Sequence, residues 1–281
     1  MDAPYAKLEP LEAGIGRLLA HNPSAFTYYG TQTYLVGENE LAVVDPGPDL
    51  PEHLDALEAA IGGRKVAAIM CTHTHRDHSP AARPLAERTG APIVGCAALA
   101  LETVGPRADA SFDGDYEPDR VLQDGERIDV DGRPITAVAT PGHTSNHLCF
   151  AYEGALFTGD HVMGWSTTVV VPPDGDMADY IRSLDKLRQR DDRIYYPAHG
   201  APVTNPQQYV RHLVGHRMQR EKQILGLVRK NARPIPDIVA NAYPDLDPRL
   251  TVAAGGSVYA HLLDLERRGL VEREGERWTA A

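Results

Sequence analysis

Apolar and polar positions along the chain mark short strands through its first two thirds and helices through its last quarter. Residues 27–36 (TYYGTQTYLV) and 41–45 (LAVVD) read as two strands with a polar turn over 37–40 between them. Leu54, Leu57 and Ile61 then fall at helical spacing behind Pro51. The apolar run 66–71 predicts a buried strand, 80–89 a helix and 92–96 another short strand, so the first third alternates strand and helix. The middle is richer in strands, with apolar runs at 135–139, 148–152 and 155–158 and turns at Asp124-Gly125 and Asp131-Gly132. Residues 105–120 look like a polar excursion with little regular structure. Met177, Tyr180, Ile181, Leu184 and Leu187 stripe one face of a helix begun near 174–176, and 193–196 reads as a last short strand.

The pattern changes at Asn205-Pro206, a good cap and first-turn pair for a long helix to about residue 230. Residues 235–240 and 251–268 read as further helices, and 270–278 as two strands turning at Glu274-Gly275. Helix, helix, helix, hairpin is a winged-helix pattern. The expected division is therefore a body over 1–205 and a small domain over 206–281. No repeat of solenoid period is present.

The densest chemistry follows the 66–71 strand. Cys71-Thr-His-Thr-His-Arg-Asp-His78 places His73, His75, Asp77 and His78 on a loop between a strand and a helix entered at Ser79-Pro80. Three imidazoles and a carboxylate in six residues cannot share a helix face or one side of a strand. In a loop they can converge on one point, and metal is what they can share without mutual penalty. A solvated, histidine-rich turn is the plain alternative, and three later segments count against it. Pro141-Gly142-His143-Thr144, Thr158-Gly159-Asp160-His161 and Pro197-Ala198-His199-Gly200 each follow an apolar strand. Each alone reads as a turn, but four strand ends in series deliver a ligand type beside small residues, where backbone must pass close to a filled site.

Charge and cysteines narrow the class. The net charge is -11, and it is uneven: residues 206–281 carry 12 Lys and Arg against 9 Asp and Glu, the preceding 205 carry 16 against 30. An acidic body does not attract polyanions at long range, although bound cations would offset it locally. Cys71, Cys96 and Cys149 are odd in number, far apart and set among apolar residues, as reduced thiols of a cytoplasmic protein are. Met1-Asp2-Ala3-Pro4 has neither the basic nor the apolar region of a signal peptide, and no apolar run approaches membrane-spanning length. Cytoplasmic location without a membrane partner is the expectation. The helix over 251–268 has few basic residues before Arg267-Arg268, so double-stranded DNA is not an expected partner.

The set His73-x-His75-x-Asp77-His78, His143, Asp160, His199 resembles the dinuclear site of the metallo-β-lactamase fold. Gly30-Thr-Gln-Thr-Tyr-Leu-Val-Gly37, the stretch 160–168, and His216-Arg-x-x-x-Glu-x-Gln-Ile-Leu225 ahead of a winged helix resemble, more narrowly, the β-lactamase-like protein 2 family. That family includes a mitochondrial endoribonuclease of single-stranded RNA and fungal polyketide thioesterases. The likeness covers nearly the whole chain. It departs at Ser79-Pro80-Ala-Ala, where many relatives have Ser-Gly-Gly.

The resemblance implies an αββα sandwich of the metallo-β-lactamase type with a small C-terminal winged helix. It implies one metal held by His73, His75 and His143, a second by Asp77, His78 and His199, and Asp160 bridging both. It also implies hydrolysis by a hydroxide shared between two divalent ions, with Asp77 and Asp160 catalytic. The donor set suits zinc, with iron or manganese as alternatives. Asp45, Arg76, His147, His161, Trp165, Thr167 and Thr168 are the expected supporting or substrate-facing residues. His21, His53, His212, His216 and His261 read as ordinary surface or helix positions. For the substrate, the resemblance points narrowly to a phosphodiester, as in single-stranded RNA cleavage. A small acyl ester, lactone or thioester, as in glyoxalase II or the polyketide thioesterases, is the alternative. A true β-lactamase is disfavoured, because those enzymes generally lack the bridging carboxylate that Asp160 supplies. A metal-binding protein without catalysis would need an intact site to stand idle.

Overall fold

The structure, a computed structural model, describes residues 4–99 and 112–281. Its first sheet runs in chain order through seven strands: β1 (Glu9–Glu12), β2 (Ile15–Leu19), β3 (Gln32–Val36), β4 (Glu40–Val44), β5 (Lys65–Cys71), β6 (Ile93–Gly95) and β7 (Arg120–Val121). The first four are antiparallel; β4 to β7 are parallel, with α1 (Pro51–Ile61) and α2 (Ala82–Thr89) in the crossovers. The second sheet contains β8 (Arg127–Val130), β9 (Arg133–Ala139), β10 (Leu148–Tyr152), β11 (Ala155–Gly159) and β12 (Ile194–Pro197), ordered β12-β11-β10-β9-β8. Only its β11–β12 pair is parallel, joined through α3 (Met177–Arg188).

The period of two along the second sheet builds two cores. Leu148, Phe150 and Tyr152 of β10 face the first sheet and share a cluster with Leu54, Leu57 and Leu85 of α1 and α2. Cys149 faces the other way, with Leu156 and Tyr195, onto Tyr180, Leu184 and Leu187 of α3. Helices thus cover the outer face of each sheet. Tyr34 meets Phe157 across the inner layer with ring centroids 5.0 Å apart.

α4 (Pro206–Lys230) serves two cores. Val210 and Leu213 near its start complete the α3 cluster, while Ile224 and Val228 join Trp278, Val258 and Leu262. The remaining elements are α5 (Ile235–Ala242), α6 (Thr251–Arg267) and a three-stranded sheet of β13 (Arg233–Pro234), β14 (Val271–Glu274) and β15 (Arg277–Ala280). This is the expected winged helix.

Several local expectations change. Residues 27–31 form a turn, not the start of a strand: Tyr28 and Gly30 have φ of 58° and 139°. A Cβ at Gly30 would lie 2.1 Å from the Ala20 carbonyl oxygen, so only glycine fits. Helix α2 begins at Ala82, later than Ser79-Pro80, with no side-chain cap, because the Ser79 hydroxyl donates to Asp113 at 2.7 Å. β1 and β2, unpredicted, depend on edge pairing that their mixed sequences do not announce. Of the polar excursion, residues 105–111 lie outside the described residues; 112–119 hold an isolated bridge and turns. His53, His216 and His261 lie on helices α1, α4 and α6, as the surface-or-helix reading allows, with His53 and His261 buried at 1% and 0% exposure and His216 half-buried. Among the described residues no helix is long and apolar enough to cross a membrane, and the three cysteines are free and buried.

Candidate metal centre

Four strand ends meet at one cleft. β5 leads to His73, His75, Asp77 and His78, β9 to His143, β11 to Asp160 and β12 to His199. Two groups form: His73, His75, His143 and Asp160 in one, Asp77, His78 and His199 in the other. In the first, His75 Nδ1 lies 2.9 Å from His73 Nε2 and 3.1 Å from His143 Nε2. In the second, Asp77 Oδ2 lies 3.3 Å from His78 Nε2 and 3.2 Å from His199 Nε2. A tetrahedral ion with bonds of about 2.0–2.1 Å spaces its ligands by about 3.3 Å, close to these separations.

Asp160 stands between the groups. Its Oδ1 lies 3.2 Å from His199 Nε2 and 3.5 Å from His78 Nε2, and its Oδ2 lies 3.7 Å from His143 Nε2. His78 Nε2 and Asp160 Oδ1 are buried and make no hydrogen bond. Buried polar atoms that converge without bonding one another fit a cation that binds both.

The outward nitrogens are anchored. His143 Nδ1 meets the Val169 carbonyl at 2.6 Å, His199 Nδ1 the Gly30 carbonyl at 3.1 Å and His78 Nδ1 the Asp45 carboxylate at 3.0 Å. With Nδ1–H donated outward, each Nε2 carries its lone pair into the cleft. Asp45 also accepts the Thr72 backbone N–H and hydroxyl, each at 2.8 Å, and Thr72 Oγ1 lies 3.0 Å from His73 Nδ1. Burial lowers His73 well below its ordinary range, and the neighbouring imidazoles add to this. Burial would raise Asp77 and Asp160, but His78 and His199 overcome it and hold both carboxyls well below the usual range. Against the same burial, the aspartates raise His78 well above its usual range and His199 to about 10. A group so arranged exchanges protons for metal.

The other expected residues divide. His147 holds the bridge loop: its Nε2 lies 3.3 Å from the Asp160 backbone N–H, and its Nδ1 2.9 Å from Thr140. Gly159 must be glycine there, since a Cβ would stand 2.6 Å from Thr72 Oγ1 and 2.8 Å from His147 Nε2. His161 is wholly buried against Tyr180, and burial takes it down to about 3. Thr168 donates its hydroxyl to the Asp160 carbonyl at 2.6 Å. Arg76 is exposed at the cleft, with Nε donating to the Phe112 carbonyl at 3.1 Å. Trp165 stacks on Tyr28 at 4.9 Å and, with Thr167, lines a neighbouring cavity rather than the cleft itself.

Sequence reasoning missed two contributors. Thr31 donates to Asp77 Oδ2 at 2.9 Å and is itself held by Asn22, which bonds both its N–H and its hydroxyl. No spacing links Thr31 to a loop 46 residues on; the 30–37 stretch quoted above was the only signal. The cleft is about 500 Å³ and is walled by Phe26, Pro48, Met163 and Val169 beside the polar groups.

Known proteins share this plan. The family model for the metallo-beta-lactamase superfamily matches residues 27–199, and that for the beta-lactamase associated winged helix domain matches 235–278. A beta-lactamase-like protein 2 homolog of Caenorhabditis elegans is 30% identical over 276 residues, covering 94% of this chain and 88% of that protein. An atrochrysone carboxyl ACP thioesterase of Aspergillus fumigatus is 33% identical over 227 residues, covering 78% of this chain and 66% of that one. The crystal structure of a beta-lactamase domain protein from Burkholderia ambifaria superposes with a TM-score of 0.84 at 20% identity, over 100% of this chain and 95% of the other. The chain therefore belongs to the metallo-beta-lactamase superfamily, whose members are typically hydrolases, in the form that carries an associated winged helix.

Proposed function

We propose that this protein is a hydrolase of acyl thioesters or esters that works with two divalent metal ions, zinc by donor type. The carrying observation for the metals is Asp160, whose two carboxylate oxygens face the two ligand groups. His73, His75 and His143 would hold one ion, Asp77, His78 and His199 the other, and Asp160 would set their separation. When bound, such a pair supplies a water ionised near neutral pH and polarises the scissile oxygen. The chain's own part is to fix the imidazole tautomers from outside, to keep Asp77 and Asp160 ionised, and to wall the cleft against bulk water.

The cleft wall favours an acyl substrate over the phosphodiester expected from sequence. Phe26, Pro48, Met163 and Val169 offer contact for a carbon chain, and Arg76 is the one Lys or Arg at the cleft among the described residues. Likeness to an ACP thioesterase supports the same reading. Arg76 is also what favours the second reading, cleavage of single-stranded RNA, since it could meet a phosphate beside the metals. The test is kcat/KM of the metal-replete enzyme on an acyl thioester, a lactone, an oligoribonucleotide and a chromogenic cephalosporin. Robust thioester or lactone turnover is expected; RNA cleavage without either would reverse the order.

A further inference from the structure

A second cavity of about 300 Å³ lies between the loop after β11 and the winged helix, and shares Phe26, Met163 and Val169 with the metal cleft. Arg217 and Arg220 of α4 line it beside His216 and Trp165, and among the described residues no Asp or Glu does. Arg217 is only 3% exposed. A guanidinium so far withdrawn from water is ordinarily paired with a carboxylate, because an uncompensated buried charge is strongly destabilising. Neither arginine has such a partner among the described residues, whereas nearby Arg267 and Arg268 are paired with Asp176, Asp264 and Glu221. Arg217 donates to the Thr168 carbonyl and lies 5.0 Å from the Tyr180 ring centre; Arg220 donates to the Ala242 carbonyl and to Gln223 Oε1, the latter at 2.9 Å, and lies 3.8 Å from the ring centre of Tyr243. Dipoles and ring faces compensate only in part. Arg220 Nε, His216 Nδ1 and Trp165 Nε1 are also buried without a hydrogen-bond partner. His216 is pushed down to about 4, first by burial and then by the two guanidinium charges, a sign of the positive field there.

We propose that this cavity is an anion-binding subsite that takes the phosphate ester of a thioester's carrier arm while the acyl end lies in the metal cleft. The ligand class rests on the thioester reading above. Carrier arms of the pantetheine kind join the thiol to a phosphate through a largely neutral chain, and the shared wall of Phe26, Met163 and Val169 gives that chain an uncharged path. An RNA strand would need cations along the path, and this wall has none.

The test measures binding of 4′-phosphopantetheine and of pantetheine to the full-length, metal-replete protein by calorimetry. Both carry the same thiol, so the difference isolates the phosphate. The wild type should prefer the phosphorylated arm at least tenfold, as charge-assisted hydrogen bonds allow. Arg220→Gln should bring the two within about twofold, and Arg217→Lys, which keeps the buried charge but loses the fork, should fall between. That second variant also serves if Arg220→Gln fails to fold. In turnover, the same variants should raise KM for an acyl-phosphopantetheine thioester by a larger factor than for the acyl-pantetheine one. Equal wild-type affinity for the two arms overturns the subsite even if both thioesters are hydrolysed. Hydrolysis of neither overturns the function proposed above, and the binding comparison then decides the subsite by itself. Weakened binding of an oligoribonucleotide in Arg220→Gln, with phosphopantetheine unaffected, overturns the assigned ligand.

Discussion

Asp45 and His78 stand 33 residues apart in the chain, and Oδ2 of the one lies 3.0 Å from Nδ1 of the other, both side chains buried. The same carboxylate holds the Thr72 N–H and hydroxyl, so one side chain aligns both ends of the metal loop. Asp45→Asn should lower metal affinity on the order of 10–100-fold, the usual cost of losing such a support. Metal retained after dialysis against graded chelator measures it; unchanged retention would show that the loop holds itself.

Among the described residues, Asp160 is the one side chain aimed at both candidate ligand groups. The intact protein should carry close to two transition-metal ions per chain. Asp160→Ala should lose at least one ion and nearly all activity, by elemental analysis and assay together. Full occupancy in that variant would sink the bridging assignment.

His53 provides a pH test on a residue outside the two candidate ligand groups. It is buried, with Nε2 3.0 Å from Thr33 Oγ1, and burial lowers it to about 4. Unfolded, it titrates near 6.5. Between those values the unfolded chain binds the extra proton, so stability should fall as pH drops, by up to about 1.4 kcal/mol per pH unit for this group. Urea melts at pH 6.5, 5.5 and 4.5 measure the slope. His53→Gln should reduce it by about one proton's worth, whatever its cost at neutral pH.

Arg76 separates the two substrate classes. For a neutral thioester or lactone, Arg76→Ala and high salt should each change kcat/KM by no more than about threefold, because an exposed cation contributes little there. For RNA, the same change should weaken cleavage, and the salt slope of binding should be shallow, on the order of one to three ions released. Salt titrations of both substrates in both proteins give the answer.

What was legible in the sequence was what local chemistry specifies. The 71–78 string, His143, Asp160 and His199 each follow an apolar run that reads as a strand, so the candidate residues and their order along the chain were legible at strand ends before the structure brought them to one cleft. The winged helix was equally plain, because three helical stretches behind Asn205-Pro206 run into a hairpin that turns at Glu274-Gly275. Other features depend on which faces meet, and no short-range pattern encodes that. Residues 27–31 carry strand-forming types, yet they turn because Gly30 must give its carbonyl to His199. Thr31 reaches Asp77 only through the packing of β3 beside the β5 loop. His53 and His261 sit in ordinary helical sequence, and the partner surfaces alone bury them. Arg217 stood in the quoted 216–225 motif with no role attached to it. It became a buried charge above Thr168 because α4 crosses from one core to the other, a contact between distant segments that only the tertiary structure decides.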